Sequence, residues 1–260
     1  MNLGLTQKVA LITGGTHGIG EAIALRLAAE GCRIATFSRS ESRVEAMRLK
    51  LAAQGCESIC LVADALDASS YDNVRNEIIS RFGGADIVVN NIGGGGRWGK
   101  EEFIETDDSV WDDVYKKNFS SCMKYTRMFL PHMISKKWGR VLTITSIYGK
   151  QAGGRPWFNV AKTAQTAFMK NLAINKRYAS ANITFNSVAP GAIWIPDTGW
   201  DKMKREHPIL FQQYLETHCP RGQLGTPDEV ADLVAFLCSV NASLINGASI
   251  SADGGESVCF

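Results

Sequence analysis

The sequence predicts an α/β protein: a doubly wound parallel sheet with helices on both faces, in a single domain. Three observations predict it. Short β-rich runs alternate with amphipathic stretches of helix length along the whole chain. Strands that alternate with helices pair in parallel and are covered on both faces. Glycine clusters at 14–20, 93–96 and 191 follow strand runs. Right-handed crossovers carry those strand ends to one edge of the sheet, where ligands bind near the topological switch point.

The elements follow in order. "KVALITGG" is a buried strand running into glycines, and "EAIALRLAAEG" is a helix ended by Gly31. "CRIATFSRS" is the second strand and "ESRVEAMRLKLAAQG" the second helix. "SICLVAD" is a third strand, "SSYDNVRNEIISRFGG" a helix, and "ADIVVNNIGGGG" a fourth strand with a glycine-rich exit. Residues 107–138 read as one long helix starting near Asp107 or Asp108. Strand "GRVLTITS", a helix over 157–178 and strand "NITFNSVAPG" come next. A loop-rich insertion at about 191–225, a helix over 227–239 and a last strand "GASISADGG" complete the chain.

Composition narrows the function classes. Of 260 residues, 45% are hydrophobic and 21% charged, which suits a globular protein with a full core. A net charge of +2 gives no reason to expect a nucleic-acid or membrane surface. No apolar run approaches the length of a transmembrane helix. The start "MNLGLTQKVALITGG" shows no basic segment followed by an apolar one, so no secretion signal is read and a cytoplasmic location is expected. The seven cysteines are odd in number and lie mostly in apolar segments, as reduced thiols do. The four histidines form no metal-like pair, and no metal site is expected.

"TGGTHGIG" (13–20) sits between the first strand and the first helix. Its glycines Gly14, Gly18 and Gly20 allow a tight turn and let a pyrophosphate approach the backbone at the helix N-terminus, where free N–H groups favour anions. The spacing G-x-x-x-G-x-G differs from the usual dinucleotide fingerprint.

That spacing resembles the short-chain dehydrogenase/reductase family, and the likeness runs nearly end to end. "NNIGG" (90–94) is similar to the family's N-N-A-G, with Ile92 in place of alanine. Asn118 in "KNF" resembles its active-site asparagine, Ser146 in "TITSIYG" its catalytic serine and Lys162 its catalytic lysine. "APG" (189–191) resembles the stretch that meets the nicotinamide, and "SADGG" (251–255) its last strand. The resemblance implies a Rossmann-like fold, a nicotinamide cofactor, a small-molecule substrate and a homodimer or homotetramer. It carries cofactor contacts onto Gly14, Thr16, His17, Gly18, Ile19 and Gly20, then Ser38 and Arg39, then Asp64 and Ala65. Further along it carries them onto Asn91, Ile92 and Gly93, onto Lys162, and onto Pro190, Gly191 and Ile193. Asp64 stands where the family places an acid that bonds the adenine.

Cofactor choice is written after the second strand. NAD-preferring members put an acid there for the ribose 2′-hydroxyl. This chain has Ser38 and Arg39, and a guanidinium pairs bidentately with a 2′-phosphate. NADP is therefore favoured over NAD, although His17 stands where a lysine or arginine would strengthen the case.

The family's tyrosine lies four residues before its lysine; here that place holds Phe158. The resemblance gives the tyrosine the proton transfer that accompanies hydride transfer. Four readings are open. A proton comes from elsewhere, such as Tyr148 or water. The reaction, such as hydride addition to a conjugated enone, needs no strong acid there. The chain is a catalytically silent nucleotide-binding regulator. Or the phenylalanine is an engineered replacement of tyrosine. The first two are preferred, because the glycine loop, Asn118, Ser146 and Lys162 are all intact.

Aromatics gather in the segments expected to flank the nicotinamide: Trp98, Trp157, Trp194 and Trp200. Cations accompany them, among them Arg97, Lys150, Arg155 and Lys204. Aromatic faces stack on flat groups, and arginines suit phosphate or carboxylate. The expected substrate is polar and anionic: a sugar phosphate, a nucleotide-linked sugar or an oxo-acid. Ser146, Trp98, Arg155, Trp157 and Trp194 are the expected contacts.

Overall fold

The computed structural model describes residues 1–259. The first half runs β1 (Val9–Thr13), α1 (Gly18–Ala29), β2 (Arg33–Ser38), α2 (Glu41–Ala53), β3 (Ser58–Val62), α3 (Ala68–Phe82) and β4 (Ile87–Asn90). The second half runs α4 (Asp108–Tyr115), α5 (Ser121–Lys136), β5 (Gly139–Ile144), α6 (Pro156–Ala173), α7 (Lys176–Ala179), β6 (Ile183–Pro190), α8 (Gly199–Glu206), α9 (Pro208–His218), α10 (Pro227–Cys238) and β7 (Ser249–Ala252). The strands form one sheet in the order β3-β2-β1-β4-β5-β6-β7, and every pairing is parallel. This is the predicted doubly wound α/β fold.

Strand composition follows from burial on both faces. Every residue of β1, β4, β5 and β6 is buried, so these runs are mostly apolar, and polar residues such as Thr143 and Asn186 bond internally. One core layer joins the sheet to α1, α2 and α10 through Ile23, Leu27, Met47, Leu51 and Val234. The other joins it to α3, α5 and α6 through Val74, Ile78, Tyr125, Phe129 and Met169.

The chain winds outward in both directions from β1 and β4, so these two neighbours form the switch point. They are tied there by side chains. Thr13 Oγ1 accepts from the backbone N–H groups of Asn91 (3.0 Å) and Ile92 (3.1 Å). Asn91 Nδ2 donates to the carbonyls of Thr13 (3.0 Å) and Gly14 (3.2 Å).

Three expectations are corrected. The helix read over 107–138 is interrupted by a π turn at Lys116–Ser120, which contains Asn118. The helix read over 157–178 ends at Ala173; Asn175 then caps a separate short turn, its side chain accepting from Arg177 N. The insertion at 191–225 is not mainly loop, because it folds into α8 and α9 around Phe211, Cys219 and Leu224. Helix α10 begins as its sequence "TPDE" indicates: Thr226 and Glu229 form a capping box, with Pro227 in the first turn. Among the described residues, no helix is long and apolar enough to cross a membrane.

Candidate active site

At the carboxyl edge of the sheet, the loop after β1 turns on Gly14 and Gly18, both at left-handed φ (+65° and +58°). Gly20 is required by close approach: a Cβ there would stand 2.6 Å from the carbonyl of Gly14 and would strike Asn91 Nδ2. The bonds from Asn91 that tie β1 to β4 therefore leave room only for glycine.

A cavity of about 390 Å³ opens over this loop. Of the residues expected at a cofactor, Gly14, Thr16 and His17 line it from the loop. Ser38 and Arg39 line it from the end of β2, and Asp64 and Ala65 from the segment after β3. Asn91, Ile92 and Gly93 line it from the end of β4. Gly18 opens instead onto a neighbouring groove. Ile19 packs on the core beside α1, and Gly20 is buried. Pro190, Gly191 and Ile193 lie at and after the end of β6; Ile193 packs on the core and lines a separate cavity with Gly225 and Ala252.

Five lining residues were not anticipated: Phe37, Arg43, Ala63, Leu66 and Lys117. Arg43 carried a readable signal, since a first-turn residue of α2 faces back over the end of β2. Lys117 carried none, because its direction depends on the π turn.

Asn118, Phe158 and Lys162 gather at the exit of β4, against Gly93, Gly94 and Gly96. Asn118 is fully buried; its Nδ2 donates to Gly94 O (2.8 Å) and Val114 O (2.7 Å), and its Oδ1 accepts from Gly94 N (3.1 Å). Gln165 Nε2 donates to the main-chain carbonyl of Asn118 at 2.9 Å. Lys162 is 4% exposed and donates to Ile144 O at 3.0 Å. Burial pulls its ammonium down to about 8. A Cβ at Gly93 would stand 2.7 Å from Asn118 Oδ1 and 2.8 Å from Lys162 Nζ, so this glycine lets both groups close on the strand end.

Ser146 follows β5 and accepts from Tyr148 N at 3.2 Å, which leaves its O–H free to donate. Phe158 is half-buried; its ring packs on Gly96 and lies 5.6 Å from Lys162 Nζ. The Tyr148 ring lies against Gly153 and Gly154. Burial and the nearby Glu256 raise its pKa above the ordinary phenol value.

The expected aromatic contacts separate. Trp98 lines the cavity and is 42% exposed. Trp157 does not face it: the indole is 1% exposed, packs on Trp111 and Val114, and donates to Gly95 O. This corrects its placement as a substrate contact. Trp194 packs in the small core of α8 and α9 beneath Lys204, and Arg97 lies over the Trp200 ring. Arg155 is the residue before the first turn of α6.

A family model described as enoyl-(acyl carrier protein) reductase matches residues 14–257. The 3-oxoacyl-(acyl-carrier-protein) reductase FabG of Escherichia coli is 34% identical over 249 residues, covering 95% of this chain and 96% of that one. The enzyme of the same name from Aquifex aeolicus is 34% identical over 257 residues, covering 98% and 99%. Among solved structures, L-sorbose reductase from Gluconobacter frateurii, complexed with NADPH and L-sorbose, superposes with a TM-score of 0.91 over 100% of both chains at 30% identity. With this fold, this glycine loop and relatives aligned over nearly their whole length, the chain belongs to the short-chain dehydrogenase/reductase family of oxidoreductases.

Proposed function

We propose that the protein is an NADP(H)-dependent oxidoreductase that transfers hydride between the nicotinamide and a polar carbonyl, hydroxyl or conjugated enone substrate. The observation that carries this reading is the meeting of Lys162 Nζ and Asn118 Oδ1 over Gly93, at the inner end of a cavity lined by the glycine loop. The residues at the cavity's adenosine end suit a 2′-phosphate: Ser38 Oγ is buried without a partner, next to Arg39. The structural neighbour complexed with NADPH supports the choice of cofactor. In this reading the loop backbone from Gly14 to Gly20 holds the pyrophosphate, Asp64 the adenine, Ser38 and Arg39 the 2′-phosphate, and Lys162 the nicotinamide ribose. When bound, the cofactor supplies or accepts the hydride.

The chain's own groups handle the oxygen. Ser146 donates its O–H to the substrate oxygen and stabilises charge that develops there. Phe158 offers no proton. Burial and the charge of Glu256 make Tyr148 a weaker acid than an ordinary phenol. The Lys162 ammonium, brought down to about 8, is the group beside Phe158 that can release a proton near neutrality. Asn118 fixes the π turn and the loop after β4, which keeps the floor of the site rigid. The anionic substrate class rests on the cations of the flanking segments, of which Arg97 stacks over Trp200 and Lys204 over Trp194.

The absence of a hydroxyl at Phe158 favours one second reading, a nucleotide-binding protein without turnover. Steady-state rates decide between the two. The protein and Phe158→Tyr are assayed with NADPH and NADH on 3-oxoacyl thioesters, keto-sugars, oxo-acids and enones. We expect turnover by the unaltered protein, with NADPH preferred, and a change of less than about 10²-fold from Phe158→Tyr on its best substrate. No turnover over the whole panel, with NADPH still bound, establishes the second reading.

A further inference from the structure

We propose that Lys117 is a second reader of the cofactor's adenosine 2′-phosphate, so that cofactor choice is set partly on the turn that carries Asn118. The inference rests on the NADP(H) reading above and extends it to a residue on a different element.

The argument begins with the π turn. One extra residue in the helix between Lys116 and Ser120 rotates the side chains that follow. Lys117 and Asn118, adjacent on this turn, are presented to different sides. Asn118 turns into the buried network with Gly94 and Val114. Lys117 turns into the cofactor cavity and forms part of its wall. Its Nζ stands over the Trp98 ring at 4.7 Å and lies 3.4 Å from where Gly94 would carry a Cβ.

Arg39 and Arg43 line the same cavity, so three cations converge on it. Asp64 is the one carboxylate among its lining residues, and Asp64 Oδ1 accepts from Leu66 N at 2.9 Å. Among the described residues, none of the three cations has a carboxylate within ion-pair distance. Ser38 Oγ, beside Arg39, is buried and has no hydrogen-bond partner. Half-burial and the nearby Arg39 penalise the charge on Lys117 and outweigh the attraction of Asp64, so its pKa is lowered. Arg39 and Arg43 are exposed and Lys117 is half-buried, so cations of one sign gather on one cavity wall, and an anion that joins them relieves the cost of the buried one. An unpartnered hydroxyl at the same rim needs a polar ligand as well. A phosphate monoester on the ribose 2′-oxygen answers both demands, with up to two negative charges and three acceptor oxygens.

The test uses the purified full-length protein and two fragments that differ only in the 2′-phosphate: adenosine 2′,5′-bisphosphate and adenosine 5′-monophosphate. Calorimetric titration measures both on the unaltered protein, Lys117→Met, Lys117→Arg and Arg39→Ala. We expect Lys117→Met to weaken the bisphosphate about tenfold or more, the scale of one charge-assisted hydrogen bond, and to leave the monophosphate nearly unchanged. Lys117→Arg should retain most of the bisphosphate affinity, which a general folding defect would not allow. The salt dependence of bisphosphate binding should also become shallower in Lys117→Met. Equal weakening of both fragments means that Lys117 meets the adenine or the 5′-phosphate, and overturns the inference. Unchanged bisphosphate affinity overturns it too. Failure of the unaltered protein to prefer the bisphosphate over the monophosphate overturns the NADP(H) reading itself, and equal binding in Arg39→Ala removes Arg39 from it.

Discussion

Lys162 is 4% exposed, and its ammonium has a single named acceptor, the carbonyl of Ile144. Burial brings its pKa from 10.5 down to about 8, so the charge is held at the expense of stability. Below pH 8 both folded and unfolded chains carry the proton and the penalty is fully present. Between 8 and 10.5 the folded chain has lost the proton while the unfolded chain keeps it. Stability therefore rises with pH through that window, and the penalty is gone above it. The shift corresponds to about 3 kcal/mol as an upper scale. Lys162→Met should accordingly be more stable than the unaltered protein at pH 7, by about 1–3 kcal/mol, while losing turnover. The gain should shrink at pH 10. Urea denaturation at the two pH values checks this; an equal gain at both, or a loss at pH 7, contradicts it. Phe158 shows the same economy of contact, because its ring keeps the packing on Gly96 and Lys162 that a tyrosine ring would make.

At the scale of elements, the π turn between α4 and α5 decides what its residues can reach. The apolar period over 107–138 reports a helix facing the core, and that part was legible. A single inserted residue shifts the period too little to read in a sequence, so the turn, the direction of Lys117 and the partnership of Gln165 with Asn118 were not. The same reasoning explains Trp157. An aromatic next to a catalytic-looking position reads as a contact, but helical spacing places Trp157 and Phe158 about 100° apart, and Trp157 falls on the buried side. The glycine loop, Asn118, Ser146 and Lys162 were legible because each depends on a local motif. The cavity's far wall joins β2, β3 and α2 to the π turn, and no local motif reports that meeting. The turn's role can be tested at Asn118. Asn118→Ala strips partners from Val114 O, Gly94 O and Gly94 N, three backbone groups at a crowded strand exit. We expect a loss of about 2–4 kcal/mol in urea denaturation. Amide hydrogen exchange should quicken at 93–96 more than in β4 itself. Uniform acceleration over the chain would show that the side chain serves global stability alone.

Across the whole molecule, segments far apart in sequence are tied together beside the carboxyl edge of the sheet. The segment that leaves the end of β6 and continues into α8 and α9 reaches two places. Ile195 comes to 3.0 Å of where Gly18 would carry a Cβ, and Arg97, from the loop after β4, stacks over Trp200. The C-terminal segment fastens the other side. Glu256 Oε2 accepts from Ala192 N and its Oε1 from the Tyr214 hydroxyl, both at 2.6 Å. Val258 N donates to Gln151 Oε1 at 2.8 Å, so the same segment also reaches the loop after β5. One carboxylate thus joins the strand exit at Ala192 to helix α9, and burial together with this bond raises the Tyr214 pKa. Removing it should free the helices without unfolding the sheet, because the two main core layers contain neither Tyr214 nor Glu256. Glu256→Ala should lower Tm by only a few degrees, since each kcal/mol moves Tm by about 2–4 °C in a domain of this size. Limited proteolysis within 196–218 should accelerate far more than cutting elsewhere, and KM should rise more than kcat falls. Glu256→Gln keeps an acceptor for the Tyr214 hydroxyl and should fall between the two. A protease pattern unchanged in Glu256→Ala, with KM also unchanged, would mean that Arg97 and Ile195 hold the helices without the C-terminal carboxylate.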